Sequence, residues 1–122
     1  MTILKALRSV KYAWNGLKVA WKEEHNFRIE ILAAILVLVV LIFFRFSYVE
    51  SALCIVAIVL VLSAEVVNTA VEDMCNKIEM NQDLQIRKIK DLMALYVLVS
   101  VVGAFMLGAL VFLHHFLLHF LK

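Results

Sequence analysis

Residues 92–121, LMALYVLVSVVGAFMLGALVFLHHFLLHFL, run from Leu92 to Leu121 through thirty positions without an Asp, Glu, Lys or Arg. A helix needs about 20 apolar residues to cross a hydrocarbon core of about 30 Å. This stretch therefore reads as a membrane-spanning helix, and it sets lipid as the solvent of the chain. Composition agrees. The chain has 122 residues and is 65% hydrophobic, against about 45–50% in soluble domains. A chain of this size builds one domain and cannot hide so much apolar surface in a core of its own. With no proline and three glycines (Gly16, Gly103 and Gly108), long helices are expected rather than the glycine-rich turns of an all-β protein.

Working outward, the last helix is expected over 88–121, its first turn still polar. The stretch Asn76 to Asp91 reads as a loop and the start of that helix. Before it, a helix over 49–78 exceeds the bilayer core, so its C-terminal part is expected to project into the aqueous phase. A further span is expected over 27–46. Its charge-free part, Ile31 to Phe44, covers only 14 residues, with Arg28, Glu30 and Arg45 at its ends, where side chains reach the interface. Arg45 to Tyr48 forms a short turn. Residues 1–25 make an amphipathic helix: Ile3, Leu7, Val10, Trp14, Leu17 and Trp21 recur at steps of three and four. Lys5, Arg8, Lys11, Lys18 and Lys22 lie on the opposite face. That helix is expected to lie flat on the membrane surface, and it lacks the apolar core and cleavage site of a signal peptide. The fold class is thus an all-α membrane protein with one surface helix and three transmembrane helices.

Ten of the twelve Lys and Arg residues fall in the N-terminal region or the Asn76–Asp91 stretch; Arg45 and Lys122 fall on the other side. By the positive-inside rule the N-terminus is expected in the cytoplasm and the C-terminus outside.

The stretch with chemical content is Glu65-Val66-Val67-Asn68-Thr69-Ala70-Val71-Glu72, continued to Asn76. Glu65, Asn68, Glu72 and Asn76 are spaced 3, 4 and 4 apart, within a sector of about 80° on one helix face. Glu65 follows 14 uncharged residues, and an ionisable group at that depth marks a functional site by default; the bland alternative is a polar stripe that glues helices together. Glu24 and Glu30, in the Trp21–Glu30 segment, are expected at the depth of Glu72. Carboxylates gathered at one depth suit a divalent cation such as Mg²⁺, usually held by one or two carboxylates with substrate phosphates. Arg87, Lys88 and Lys90 could hold lipid head groups or nucleotide phosphates. His25 reads as interfacial. His114, His115 and His119 also read as interfacial, because no acidic or thiol partner stands near them in the chain. Cys54 and Cys75, about 30 Å apart on one helix, are expected as free thiols.

These motifs resemble the small prokaryotic diacylglycerol kinases, a family that includes the undecaprenol kinases. The likeness is carried by Glu65–Glu72, by Glu24-His25-Asn26-Phe27-Arg28-Ile29-Glu30, by Trp14-Asn15-Gly16-Leu17 and by Lys90-Asp91, and it extends from about Lys5 to Leu113. It implies a homotrimeric bundle in the bacterial inner membrane, with active sites between protomers and phosphoryl transfer from Mg·ATP to the hydroxyl of a membrane lipid, diacylglycerol or undecaprenol. It further implies Glu65 as general base with Asn68 in support, and Glu24 and Glu72 as metal ligands. Lys5, Tyr12, Asn81, Gln82, Asp83, Lys90 and Asp91 are implied nucleotide contacts, and Trp14, Trp21, Arg28, Glu30 and Ala94 implied lipid contacts. No nucleic-acid partner is expected. No Gly-x-x-x-x-Gly-Lys loop is present, which excludes a P-loop as the ATP cradle.

Three departures from the family pattern stand out. Asn76 replaces the usual Asp, Lys5 replaces an expected Arg, and Leu92–Tyr96 replaces a run of smaller residues. Two other classes of function fit the bare residues: a non-catalytic oligomer conducting cations or protons past Glu65, and a degenerate kinase homologue that binds lipid without turnover. A conducting bundle has no need of Glu24, Glu30, Lys90 and Asp91 at one face.

Overall fold

The computed structural model describes residues 2–78, 81 and 83–121. It consists of four helices: α1 (Ile3–Glu23), α2 (His25–Phe43), α3 (Tyr48–Ile78) and α4 (Leu84–Phe120). No strand occurs among the described residues. The helices α2, α3 and α4 are long and apolar enough to cross a membrane. The chain is an integral membrane protein.

Surface area makes the same point quantitatively. A soluble monomer of 13.9 kDa would expose about 6,700 Å²; this chain exposes 9764 Å². Ile42 at 80% and Phe105 at 77% exposure are sustained by lipid or by other copies of the chain.

Each helix boundary has a local cause. Thr2 starts α1, its Oγ1 accepting from the Lys5 N–H at 3.3 Å. The chain breaks at Glu24, which is extended. There Arg28 reaches back and donates to the carbonyls of Trp21 (2.8 Å) and Lys22 (3.2 Å), satisfying acceptors that the end of α1 leaves open. At the far end of α2, Phe46 N–H donates to Leu41 O at 3.0 Å and Arg45 N–H to Ile42 O at 3.3 Å. This is the Schellman pattern, with Arg45 at φ 55° where glycine is usual. Phe46 and Leu41 pack in one buried cluster with Cys54 and Val111, the apolar contact that accompanies such a cap. Ser47-Tyr48-Val49-Glu50 then forms a capping box: Glu50 N–H donates to Ser47 Oγ at 3.2 Å and Ser47 N–H to Glu50 Oε1 at 2.9 Å. Asp83 caps α4, its Oδ1 accepting from the N–H groups of Gln85 (2.8 Å) and Ile86 (3.1 Å).

The span expected over 27–46 is helical from His25 and stops at Phe43, because the cap reverses the chain and folds Phe46 inward. The last helix starts at Leu84, four residues before the expected 88, because Asp83 supplies the N-cap.

Helical rise places the site. At about 1.5 Å per residue, α2 is about 28 Å long, α3 about 46 Å and α4 about 55 Å. A tight turn joins α2 to α3, so the excess of α3 lies at the opposite end, beside α1. Glu65 is about 26 Å from the turn, near the edge of a hydrocarbon core of about 30 Å, and Glu72 lies beyond that edge. α3 packs chiefly on α4, less on α2, and α1 packs on α2.

At the turn end the structure corrects the expectation for the histidines. An acidic partner exists: Glu50, 64 residues away in the chain. His115 Nδ1 lies 3.2 Å from Glu50 Oε1, and His114 Nδ1 lies 3.4 Å from Glu50 Oε2. His115 Nε2 lies 3.1 Å from the Phe44 carbonyl; that oxygen only accepts, so Nε2 carries a proton. The His115 ring stacks on Phe46 at 3.8 Å between centroids. Cys54 and Cys75 are buried free thiols.

Candidate active site

The polar stripe of α3 faces α4. Glu65, Asn68, Val71 and Glu72 line one cleft with Lys90, Met93, Ala94 and Val97 of α4, and Asn26 of α2 closes it; its volume is about 310 Å³. On α4 the lining residues recur at three and four, so a single helix face meets the stripe. Glu65 is 5% exposed, while Glu72 is exposed at the aqueous end. Glu65 lies within electrostatic reach of Glu24 and Glu72, and Glu30 within reach of Glu65. Like charges this close repel one another, and the repulsion favours a cation among them. Among the described residues, no hydrogen bond or ion pair reaches the carboxylate of Glu65 or Glu72. Lys90 Nζ instead donates to Asn76 Oδ1 at 2.7 Å, bridging α3 and α4.

Of the residues singled out in the sequence, the cleft gathers Glu65, Asn68, Glu72, Lys90 and Ala94. Glu24 sits half-buried at the α1–α2 break, outside the lining. Among the described residues, no three His, Cys, Asp or Glu side chains come together as a metal-holding set. Glu30 lines a separate apolar groove of about 570 Å³ between α2, α3 and α4, where its Oε2 is buried without a partner. Arg28 is turned toward the end of α1 by its two carbonyl contacts. Lys5, Tyr12, Trp14 and Trp21 are exposed on α1 and do not line the cleft. Asp91 is exposed next to Lys90, Asn81 is exposed between α3 and α4, and Asp83 is engaged as the α4 cap. Gln82 lies outside the described residues.

Asn26 and the Asn76–Lys90 link were missed by reasoning from the sequence. Asn26 carried a faint signal, lying between Glu24 and Glu30 in the segment already singled out. The link joins positions 14 apart on two helices, and helix periodicity says nothing about such pairs.

Comparison with known proteins agrees with this picture. The model of the family "Prokaryotic diacylglycerol kinase" matches residues 11–112. The diacylglycerol kinase of Escherichia coli (strain K12) is 26% identical over 112 residues, covering 92% of this chain and 92% of that one. The diacylglycerol kinase of Haemophilus influenzae (strain Rd) is 35% identical over 72 residues, 59% of this chain and 61% of its own. The family match takes in the whole acidic stripe and the α4 face opposite it, and the chain belongs to the prokaryotic diacylglycerol kinase family.

Proposed function

We propose that this protein is a lipid kinase that transfers the γ-phosphoryl group of Mg·ATP to the hydroxyl of a membrane lipid alcohol, diacylglycerol or undecaprenol. One observation carries the reading: a buried carboxylate, Glu65, shares a cleft with Asn68, Glu72 and the cation Lys90. Phosphoryl transfer depends on positioning and charge neutralisation more than on covalent help from the protein, and this cleft contains groups for both.

In this reading Glu65, near the edge of the hydrocarbon, takes the proton of the lipid hydroxyl as it attacks, and Asn68 orients the reacting groups by hydrogen bonding. Lys90 meets the nucleotide phosphates, with Asp91, Lys5, Tyr12 and the 81–83 segment as further nucleotide contacts. The oxygen donors of Glu24 and Glu72 fit Mg²⁺, which takes one or two carboxylates and completes its shell with water and phosphate. When bound, the ion would neutralise phosphate charge. Glu30, Arg28, Trp14, Trp21 and Ala94 form the lipid side of the site. A homotrimer with sites between protomers would bring the exposed face of one α1 to the cleft of its neighbour, which suits the placement of Lys5 and Tyr12 on α1. The protein would sit in the bacterial inner membrane, N-terminus cytoplasmic and C-terminus outside, with α1 flat on the cytoplasmic surface.

The test is a thin-layer assay of purified protein with labelled ATP, Mg²⁺, diacylglycerol and undecaprenol. Transfer to at least one of the two alcohols is expected; absence of labelled lipid with both would overturn the proposal.

A further inference from the structure

The cleft and the apolar groove are two parts of one track. Along α3 the cleft lining stops at Glu65, and the groove takes over at Leu62 and runs to Cys54. Along α4 the cleft stops at Val97, and the groove continues from Val101 to Phe112. Along α2, Asn26 belongs to the cleft and the groove follows from Ile29. The lining positions recur at three and four, so one face of each helix carries the track from the cleft into apolar depth. Among the described residues that line the groove, only Glu30 is charged. It stands where groove meets cleft, within electrostatic reach of Glu65, and its Oε2 is buried without a partner. The far end is closed: Cys54 belongs to the buried cluster of Leu41, Phe46 and Val111, and Phe112 packs against that cluster. Between the two ends, a Cβ added at Gly108 would meet nothing within 4 Å.

We propose that this groove reads one hydrocarbon chain of the acceptor: the lipid hydroxyl lies between Glu30 and Glu65, and the chain follows the groove to the Cys54–Phe112 wall. The proposal rests on the phosphoryl-transfer reading of the cleft and adds how the acceptor is chosen. A lipid O–H donates to the unpartnered Oε2 of Glu30, and hydrocarbon suits the apolar lining below it. From Glu65 to Cys54 the track is about 16 Å long at 1.5 Å per residue. An extended chain advances about 1.25 Å per carbon, so about 13 chain atoms are read, counted from the hydroxyl. A second acyl chain has no place in the track and stays in the bilayer. Because lipid tails are as apolar as the groove, moving a chain into it gains packing rather than release from water. Selection is therefore by shape, and a bulky side chain placed in the groove should act by excluding the chain.

The experiment uses the full chain in mixed micelles with 1-monoacylglycerols of graded chain length, in which four atoms separate the reacting hydroxyl from the acyl chain. A hexanoyl chain then ends about 12 Å into the track, whereas a dodecanoyl chain passes Gly108, about 16 Å from Val97 on α4. Gly108→Leu is expected to leave the hexanoyl acceptor within about twofold of the parent. It should lower kcat/KM for the dodecanoyl acceptor about tenfold, as overpacking does, with KM for Mg·ATP unmoved. Gly103, which does not line the groove, supplies the control: Gly103→Leu should match the parent at every length, showing that α4 tolerates the leucine. For binding without turnover, a dodecanol carrying a diazirine at carbon 12 is photolysed in the absence of ATP, and its attachment sites are mapped by mass spectrometry. Labelling near Cys54 and Phe112, lost in Gly108→Leu and kept in Gly103→Leu, is expected. An equal effect of Gly108→Leu on all chain lengths would overturn the proposal. So would loss of the parent's oligomeric state in that variant, because a helix of a second copy would then fill the groove. If the parent phosphorylates no lipid but the labelling pattern holds, the kinase reading falls and the chain site stands. Normal transfer with labelling scattered outside the groove gives the reverse.

Discussion

Two polar clusters interrupt the apolar helices, and they are built on opposite principles. Glu50, at the α2–α3 turn, has both carboxylate oxygens engaged: Oε1 by the Ser47 N–H and His115, Oε2 by His114. His115 is engaged at both nitrogens and stacked on Phe46. Glu65, about 22 Å along the same helix, is equally buried but has three carboxylates near it and no hydrogen-bonding partner among the described residues. A buried polar group without a partner is costly, and a bound ligand would offset that cost. The closed cluster joins the turn to α3 and α4. The open one is where the proposed phosphoryl transfer would take place.

Breaking the open cluster should give the largest effect. Glu65→Gln keeps the shape of the side chain and is expected to cut phosphoryl transfer about a thousandfold, within the range for loss of a general base, with helix content and oligomeric state unchanged. Activity near the parent level would remove Glu65 from the chemistry. The closed cluster should respond in the other currency. His115→Ala leaves Glu50 buried without its ring partner, and unfolding in detergent is expected to become easier by about 3 kcal/mol. Nucleotide and lipid KM should not move; a shift in either would blur the division drawn between the two ends.

A smaller effect separates roles within the open cluster. Glu72→Gln is expected to raise the Mg²⁺ concentration needed for half-maximal transfer about tenfold, whereas an unchanged Mg²⁺ requirement would count against Glu72 as a ligand. The smallest effect sharpens the closed end. Arg45 holds φ 55°, where a side chain costs about 1 kcal/mol, so Arg45→Gly should stabilise the turn by about 0.5–1 kcal/mol. Destabilisation would mean that the Arg45 side chain has a role of its own at that interface.

Periodicity made much of this visible before any coordinates. The thirty uncharged positions of 92–121 announce a membrane helix, and the 3-4-4 spacing from Glu65 to Asn76 puts four polar groups on one face. Both follow from covalent geometry, because side chains of a helix share a face at fixed intervals. The Ser47-x-x-Glu50 capping box is equally local, but the helix expected from 49 made no use of it, and α3 begins at Tyr48. Where a turn depends on burial the reading slips: Phe46 looks like the end of a span, but it folds back onto Leu41 and ends the helix at Phe43.

What the sequence alone determined, then, is the set of helices, their apolar character and the acidic stripe, because these depend on neighbours within about two turns. Tertiary structure decided which stripe is closed and which stays open. Nothing local pairs Glu50 with His115 or Lys90 with Asn76, or brings Asn26 to the cleft that Glu65 lines. Those meetings depend on the register of α3 against α4 and α2, which is set by packing across helices, and that packing sums many weak contacts with no local signature.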